Sequence, residues 1–186
     1  MRKIDIFKSY ICGDFDNREQ VAEEVRAGHQ IHPLAKHVTR VADAKIQNLP
    51  PQYNGVFVLE ESYYTYPGKP TEVKPYLFWF EETALGNVRL HSIALPTDID
   101  KADIRNDNPH LTFDFKDLKD SPTFTPAEYT HTERGFYIKN VIELPNNMSF
   151  TLEETIGDGF LEVMESLKKG DVLLTPYSTP IQYKRI

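Results

Sequence analysis

The residues best suited to bind a metal stand near the N-terminus, in the stretch ICGDFDNREQ. Asp14, Asp16 and Asn17 offer oxygen atoms of the kind that calcium binds. A calcium loop of the EF-hand type has acidic residues at its first, third and fifth positions and glycine at the sixth. If Asp14 takes the first position, Arg18 falls at the fifth and Glu19 at the sixth. The spacing therefore excludes such a loop.

The histidines and the single cysteine offer no better site. His29 and His32 have helical spacing, but Pro33 interrupts the segment, and a zinc site requires about four ligands. Cys12 lies in an apolar segment, so we expect a buried packing residue rather than a nucleophile. A lone cysteine excludes an intramolecular disulfide and is compatible with a reducing cytosol. The sequence predicts no metal site.

Composition and missing motifs narrow the function further. The chain has 186 residues and a net charge of −7, which disfavours binding to nucleic acid or to an anionic membrane surface. The glycine-rich loops that hold nucleotide phosphates and the nucleophile elbow of hydrolases are both missing. We find no apolar run of signal-peptide length near the start and none of the roughly 20 residues needed to span a membrane. We therefore expect a cytoplasmic protein.

The N-terminal quarter reads as helical. Ile4, Ile6, Phe7, Tyr10 and Ile11 indicate a short helix. A second helix would begin at an Asp16 cap, with Glu19 completing a capping box, and would stop at Gly28. Its expected apolar face consists of Val21, Ala22 and Val25.

From Val56 onward the hydrophobic period changes to two, which is typical of strands. Hairpin-type turns such as YPGKP and IGDG separate the segments, while Pro96–Pro126 reads as a long loop with a short helix. The content of 10 Tyr and 11 Phe also favours strands. The pattern predicts one domain over residues 1–186, an antiparallel barrel or strongly curved sheet after an N-terminal helical segment. The predicted strands are Val56–Tyr64, Pro75–Glu82, Asn87–Leu95, Glu128–Glu133, Gly135–Ile142, Met148–Thr155, Phe160–Glu165, Val172–Pro176 and Ile181–Arg185.

Several short motifs resemble one family. GDFDNREQ, at residues 13–20, is similar to the G-x-F-x-N-x-x-Q signature of the T-type phycobiliprotein lyases, the CpcT/CpeT family. Further similar pieces follow in the family's order, namely HVTRV, VFVLEESYY, KPYLFWF, SLKKGD and TPIQYKR. Leu77 replaces the arginine of the family's Pro-Tyr-Arg motif, and the cysteines usual in the second half are missing. The chain resembles a compact, divergent member of the kind carried by cyanophages.

The resemblance implies a lipocalin-like (calycin) antiparallel β-barrel with an N-terminal helical segment. Such a barrel holds an open-chain tetrapyrrole, a bilin, as its substrate, with phycoerythrobilin expected before phycocyanobilin. It delivers the bilin to a cysteine of a phycobiliprotein β-subunit and so forms a thioether. The reactive thiol belongs to the partner, so the chain needs no nucleophile or separate cofactor of its own. The resemblance also makes a homodimer plausible.

A bilin's chemistry suggests which residues would hold it. Its flat conjugated body suits aromatic walls, its propionates suit arginine, and its protonated pyrroles suit a carboxylate. The candidates are Glu60 and Glu154 as catalytic carboxylates, Tyr63, Tyr76 and Trp79 as walls, and Arg40 and Arg89 as propionate partners. The resemblance selects both glutamates. Strand alternation lets either Trp79 or the set Tyr76, Phe78 and Phe80 face the lumen, but not both.

Two alternatives to a bilin lyase remain open. One is a bilin-binding carrier without transferase activity. The other is a generic calycin that binds a different apolar small molecule. The replacement of an arginine by Leu77 concerns the transfer activity more than the fold.

Overall fold

The computed structural model describes residues 2–186 and is mainly β. The helices are α1 (Lys3–Ile11) and α2 (Arg18–Arg26). The strands are β1 (Gly13–Asp16), β2 (Leu34–Val41), β3 (Ile46–Gln47), β4 (Gly55–Thr65), β5 (Glu72–Glu82), β6 (Val88–Ile93), β7 (Phe113–Asp114), β8 (Ala127–Thr132), β9 (Gly135–Leu144), β10 (Met148–Gly157), β11 (Phe160–Lys169), β12 (Val172–Leu173) and β13 (Ile181–Arg185). Two short 3₁₀ helices span Asp43–Lys45 and Phe115–Asp117.

Ten of the strands form a closed antiparallel barrel. Their order around the barrel is β1, β2, β4, β5, β6, β8, β9, β10, β11 and β13, so each strand pairs with the next of this series along the chain. The last strand, β13, pairs with β1, and this pairing closes the ring. Closure leaves no free sheet edge in the ring. Strand β12 pairs in antiparallel orientation with the end of β11, while β3 and β7 form a separate parallel pair. The predicted calycin-like barrel is confirmed.

The strand predictions from Val56 onward are confirmed except at one place, because each predicted segment overlaps an observed strand but Val172–Pro176 is a strand only at Val172–Leu173. The prediction of a helical N-terminal quarter is wrong in part. Both helices form, but β1 and β2 lie in the same quarter. Strand β1 is too short, at four residues, to show the period of two that is typical of strands. Strand β2 places the polar residues His37 and Thr39 on its buried face, so its sequence does not alternate between apolar and polar residues. The stretch Pro96–Pro126 is a long loop with one short helix, as expected, and it also contains the two-residue strand β7.

The predicted cap of α2 is only partly right. The cap position is Asn17, and Asp16 ends β1, although its carboxylate still accepts from the backbone N–H of Arg18 at 3.1 Å. Glu19 pairs with Lys184 on β13, so no capping box forms. The predicted apolar face is wrong as well, since no described residue of α2 is buried and Val25 is 57% exposed.

The N-terminal motif has a structural role, because its side chains form hydrogen bonds that join elements of the barrel. The buried amide of Asn17 accepts from the backbone N–H of Ala35 at 2.7 Å and donates to the carbonyl of Pro33 at 3.0 Å. Gln20 donates to the carbonyl of Pro180 at 3.0 Å. These bonds join α2 to the segments that lead into β2 and β13. Two of the motif's matched positions therefore satisfy buried backbone groups at the closing seam of the barrel.

The packing at the same closing seam explains why residue 13 is a glycine. A side chain there would collide with the guanidinium of Arg185, which would lie 2.1 Å from an added Cβ. That guanidinium donates to the carbonyls of Ser9, Tyr10 and Cys12 at the C-terminal end of α1. A cation is favourable at this end of a helix, where carbonyl groups lack partners. The absence of a side chain at Gly13 thus lets β13 cap the first helix.

Helix α1 closes one end of the barrel. Phe7 is 0% exposed, and its ring lies 4.8 Å from that of Phe80, 5.0 Å from Tyr129 and 5.1 Å from Phe136. These partners point inward from β5, β8 and β9, so the apolar face of α1 completes the interior at this end. No helix within residues 2–186 has both the length and the apolar character needed to cross a membrane.

A second core lies outside the barrel. The outward-facing side chains of β4 and β5 are covered by two segments, residues 42–53 and residues 96–119, which pack over this part of the sheet. We call this core the outer cluster. Its buried members are Ala42, Ile46, Phe57, Leu59, Leu77, Ile93, Ile104, Leu111 and Phe113. The wall formed by β4 and β5 is thus apolar on both faces.

Candidate functional site

The barrel encloses a cavity of about 1020 Å³. This volume is at the upper end of the range of roughly 300–1,000 Å³ that is usual for small-molecule sites. The side chains around it come mostly from the inward-facing positions of β4, β5, β6, β10 and β11. Its apolar and aromatic wall includes Tyr64, Tyr76, Phe78, Phe80, Leu90, Tyr129, Phe150, Leu152 and Val163.

The mouth of the cavity lies at the end opposite α1. Its exposed lining residues, among them Lys74 near the start of β5, Lys101 in the long loop and Thr123 before β8, belong to this end. The two lysines lie among the exposed residues of the mouth, whereas the cavity's carboxylates other than Glu72 lie on strands farther inside. At the mouth Lys74 pairs with Glu72 at 3.4 Å, so the mouth carries both signs of charge, with Lys101 as a second cation.

Three glutamates from three strands face the cavity. Glu60 lies on β4, Glu154 on β10 and Glu165 on β11. Each shares its strand face with apolar residues, so the local pattern alone would place a hydrophobic side chain there. Carboxylates on an apolar surface are costly unless they find a partner or a proton. The cavity therefore concentrates negative charge and acceptor atoms inside an aromatic wall.

Glu154 carries the largest resolved perturbation of the three. Burial raises the pKa of this carboxyl group to about 8, a hydrogen bond donated by the hydroxyl of Tyr129 opposes the shift, and the like charges of Glu60 and Glu165 add to it. Glu154 is therefore protonated over much of the neutral pH range. A carboxylic acid in this state can donate a proton, which an ordinary glutamate cannot do at the same pH.

Glu165 is perturbed in the same direction. Its pKa is raised by burial and by the charge of Glu60, while Lys74 at the mouth opposes the shift. Its side chain is exposed to the cavity but surrounded by the barrel. The charges of Glu60 and Glu165 thus oppose the ionisation of Glu154, and the charge of Glu60 opposes that of Glu165.

His37 on β2 completes the polar part of the cavity. Its Nδ1 lies 3.6 Å from Oε2 of Glu60, while Oε1 of that carboxylate accepts from the hydroxyl of Ser62 at 2.8 Å. Burial lowers the pKa of His37, and the charge of Glu60 only partly offsets this effect. The ring is therefore neutral near pH 7. A buried polar atom without a partner costs about 1–3 kcal/mol, which makes an unpartnered histidine on a cavity wall notable.

The structure brings together only some of the site residues expected from the sequence. Glu60, Glu154 and Tyr76 line the cavity. Of the two alternative faces of β5, the set that contains Tyr76, Phe78 and Phe80 faces inward. Trp79 belongs to the opposite face, where it packs on the outer cluster and stacks on His91 at 4.5 Å. Its assignment as a wall of the binding site is therefore wrong.

The other three predicted contacts also lie outside the cavity. Arg40 is on the outer surface of β2 and pairs with Asp14 at 2.5 Å. Arg89 pairs with Glu128 at 2.8 Å on the outside of β6 and β8. Tyr63 shares the outward face of β4, and its hydroxyl donates to Glu61 at 2.6 Å. These side chains are directed away from the cavity by strand alternation.

Sequence reasoning missed four of the charged or titratable residues around the cavity that carry the argument, His37, Lys74, Lys101 and Glu165. The signal for Glu165 was present, because it shares a period-two face with Leu161 and Val163. Glu165 interrupts an apolar face of β11 in the same way that Glu154 interrupts an apolar face of β10, and this pattern could have identified it as a cavity residue.

The expectation of a buried cysteine is met in part, since Cys12 is a packing residue but only half-buried. Cys12 packs against the inner core, and burial raises the pKa of its thiol to about 11. It is therefore a poor nucleophile at neutral pH. Within residues 2–186, no three His, Cys, Asp or Glu side chains are arranged so that they could hold a metal ion.

Comparison with protein-family models, with curated proteins and with solved structures finds no match in any of the three.

Proposed function

We propose that the protein binds an open-chain tetrapyrrole in its barrel and delivers it to a cysteine of a phycobiliprotein β-subunit. One observation carries this proposal: three carboxylates, Glu60, Glu154 and Glu165, converge on a large cavity with aromatic walls. A flat, conjugated, nitrogen-rich molecule is the kind of ligand that such a combination suits. The motif resemblance supports the same ligand class.

Different groups around the cavity suit the different parts of a bilin. The rings of Tyr76 and Phe78 are nearly parallel, at 9° and 5.8 Å between centroids, and offer a surface for the conjugated body. Carboxyl oxygens of the three glutamates can accept hydrogen bonds from pyrrole N–H groups, and the protonated carboxyl of Glu154 keeps one accepting oxygen while it holds a proton to donate. Lys74 and Lys101 at the mouth replace the arginines expected from the sequence as partners for the propionates.

Transfer to the acceptor subunit needs little chemistry from this chain. The partner's thiol adds across the exocyclic double bond of the bilin, so that sulfur bonds to the side-chain carbon and a proton goes to the neighbouring ring carbon. No electrons are lost or gained. Protonated Glu154 can supply the proton, and the barrel contributes by holding the bilin in one orientation.

The first test is binding of phycoerythrobilin to the purified protein. We expect the visible absorption band to shift and sharpen, because the extended bound form is more rigid than the free pigment. Glu60→Ala should reduce this change strongly. Glu81→Ala, which removes a carboxylate from the outward face of β5, is the matched control and should leave it intact. An unchanged spectrum with the unmodified protein would exclude both the lyase and the carrier functions.

The second test separates a lyase from a carrier. The loaded protein is mixed with a recombinant phycoerythrin β-subunit, and covalent pigment is detected by zinc-induced fluorescence on a denaturing gel. A fluorescent β-subunit band supports the lyase. Binding without such a band leaves a bilin carrier as the function.

A further inference from the structure

The barrel wall is interrupted on the side between β6 and β9. Strand β8, which lies between them, pairs with β6 only as far as Leu90 and with β9 only as far as Tyr137. Both neighbours continue towards the mouth, β6 to Ile93 and β9 to Leu144. In this half of the wall, residues 120–126 lie between the two strands and make hydrogen bonds to each of them. We call this segment the strap.

Few hydrogen bonds fasten the strap to its neighbours. On the β6 side, the backbone N–H of Ser121 donates to the carbonyl of Ser92 at 2.7 Å. On the β9 side, the side-chain amide of Asn140 donates to the carbonyl of Thr125 at 3.2 Å. Within residues 2–186, no backbone–backbone bond joins the strap to β9. The strap is therefore held far more weakly than the strands of the ring, which pair through continuous ladders.

The sequence of the strap, DSPTFTP, explains why no ladder forms here. Pro122 and Pro126 have no backbone N–H, so each removes a donor that a strand in the middle of a sheet needs. The pairing of β8 with β6 begins only at Ala127, after the second proline. The strap can therefore leave the wall without breaking the strand pairs that close the ring.

The inner side of the strap is part of the cavity wall. Ser121, Thr123 and Phe124 line the cavity, and Phe124 also packs against the inner core. Apart from Ser121 and Phe124, the residues of the strap are exposed. An outward movement of the strap would thus withdraw Phe124 and open the side of the cavity next to its mouth.

A contact between side chains holds the strap from outside. Nδ1 of His91 on β6 lies 3.1 Å from both carboxylate oxygens of Asp120, the first residue of the strap. Its Nε2 lies 3.4 Å from Oε1 of Glu81 on β5, and its ring stacks on Trp79 at 4.5 Å, so the packed outer face fixes the imidazole. The side chain of Asp120 is 45% exposed, and a pair at the surface contributes little to stability. The contact can therefore hold the strap without locking it.

We propose that the strap is a gate in the barrel wall, which opens outward while a ligand enters or leaves and which the contact between His91 and Asp120 holds closed. Its weak fastening, its two prolines and its cavity-lining inner side support this role. The proposal goes beyond the proposed function, because it requires only that the cavity takes up an organic ligand and not that the ligand is a bilin.

The test is a disulfide that locks the strap to β6. Ile93 and Asp120 lie directly opposite each other, with backbone hydrogen bonds on either side of the pair. In such a pair the Cα atoms are about 4.5 Å apart, which a disulfide can span. In the double variant Ile93→Cys/Asp120→Cys, oxidation locks the strap and reduction releases it. The native Cys12 follows α1 at the other end of the barrel and is out of reach.

Stopped-flow fluorescence or absorption then follows the uptake of two ligands, phycoerythrobilin and the dye anilinonaphthalene sulfonate. Oxidation of the double variant should slow both association and dissociation about tenfold or more, with little change in affinity, because the lock alters the path and not the bound state. Ile93→Cys taken through the same oxidation is the matched control and should keep its rates. Equal rates in the oxidised and reduced double variant would overturn the proposal.

Hydrogen exchange on the unliganded protein tests the opening itself. The backbone N–H of Ser121 should exchange at least about 100-fold faster than those at the centres of β4 and β5, because the strap opens while the ring stays folded. Asp120→Ala should raise the exchange rate of Ser121 about threefold. Asp117→Ala, just outside the strap, is the control and should leave the rate unchanged. Protection of Ser121 equal to that of the ring would also contradict the gate.

The outcomes separate the gate from the proposed function. If phycoerythrobilin fails to bind but the dye enters more slowly when the strap is locked, the bilin function falls and the gate stands. If phycoerythrobilin binds at the same rate with the strap locked and released, the gate falls and the bilin function stands. If neither ligand binds the unmodified protein, both proposals fall.

Discussion

The strands β4 and β5 present two contrasting faces. On the outside, Phe57, Leu77 and Trp79 pack against the segment 96–119 and form the outer cluster. On the inside, Glu60 and Tyr76 of the same strands line a cavity of about 1020 Å³. The residue types along the two strands do not separate the faces cleanly, because aromatic side chains occur on both.

The difference shows that burial serves two purposes in this barrel. The outer face is covered by the protein's own chain, so its side chains gain close packing and contribute to stability. The inner face is enclosed but not filled, so it can hold groups that close packing would not tolerate. The buried histidine and the perturbed carboxylates on that face are the signs of a binding site.

The largest expected effect tests the stability side of this comparison. Phe57 is 1% exposed and stacks with Tyr53 at 5.6 Å between ring centroids. Phe57→Ala should reduce the free energy of unfolding by about 3–5 kcal/mol, because it opens a cavity in a packed cluster. Urea denaturation monitored by circular dichroism measures the change.

A matched substitution on the inner face completes that experiment. Phe78 is only half-buried because it borders the cavity. Phe78→Ala should cost less than about 2 kcal/mol, since few packing contacts are lost. Equal losses from both substitutions would contradict the distinction between a packed face and a binding face.

The next largest effect concerns stability and pH. The pKa of Glu154 is about 8 in the folded protein and 4.5 in an ordinary environment. Between these values the folded state holds a proton that the unfolded state has released, so stability falls as pH rises through this window. We expect a loss of roughly 2 kcal/mol, less than the whole shift would give, because water in the cavity screens the charge.

The substitution Glu154→Gln should flatten this pH dependence. Glu165 has a raised pKa as well and acts in the same direction, so the slope is reduced rather than abolished. Urea midpoints measured at several pH values for both proteins provide the comparison. Parallel profiles would show that the carboxyl of Glu154 is ionised in the folded protein at neutral pH.

The sequence was sufficient to predict the barrel but not which face of its wall is inside. Alternation along β5 separated Tyr76 and Phe78 from Leu77 and Trp79, and this separation is correct. Both sets are apolar because a covering segment far along the chain buries the outward one. A single strand pattern carries no information about such a cover, so the choice between the faces had to come from the structure.

The site was predictable to a similar extent. Glu60 and Glu154 were found by the motif resemblance, and both face the cavity. Arg40 and Arg89 were chosen because arginine suits a propionate, yet each lies on the outer face and pairs with a nearby carboxylate. A choice made from residue type alone ignores that an exposed guanidinium on a strand readily pairs with a carboxylate on the same surface. His37 was missed because an isolated histidine gives no such pattern.

A smaller effect concerns how the charge of Glu154 acts on a cation in the cavity. Ionised Glu154 attracts a bound cation more strongly than the protonated acid does. The affinity for proflavine, a flat diaminoacridinium cation, should therefore rise about tenfold from about pH 6.5 to about pH 8.5. In Glu154→Gln the rise should be smaller but not absent, because the pKa of Glu165 is raised as well. Fluorescence titrations across this range measure the trend. A cation affinity that falls with rising pH would place the ligand away from Glu154.

The smallest effect is expected at the outer arginines. Arg89 is partly exposed and pairs with Glu128 and Glu81 on the surface, so Arg89→Ala should change stability by only about 0–1 kcal/mol. Because its guanidinium lies across the wall from the cavity, the affinity for phycoerythrobilin should stay within about twofold, which is under 0.5 kcal/mol.

Lys74→Ala at the mouth is the informative counterpart of Arg89→Ala. It removes one of the two cations that a propionate can reach, so it should weaken bilin binding several-fold while stability changes little. Binding titrations of both variants decide between the two faces. A loss of bilin affinity in Arg89→Ala with none in Lys74→Ala would mean that the bilin occupies the outer surface, and the inner face would then need another ligand to account for its carboxylates.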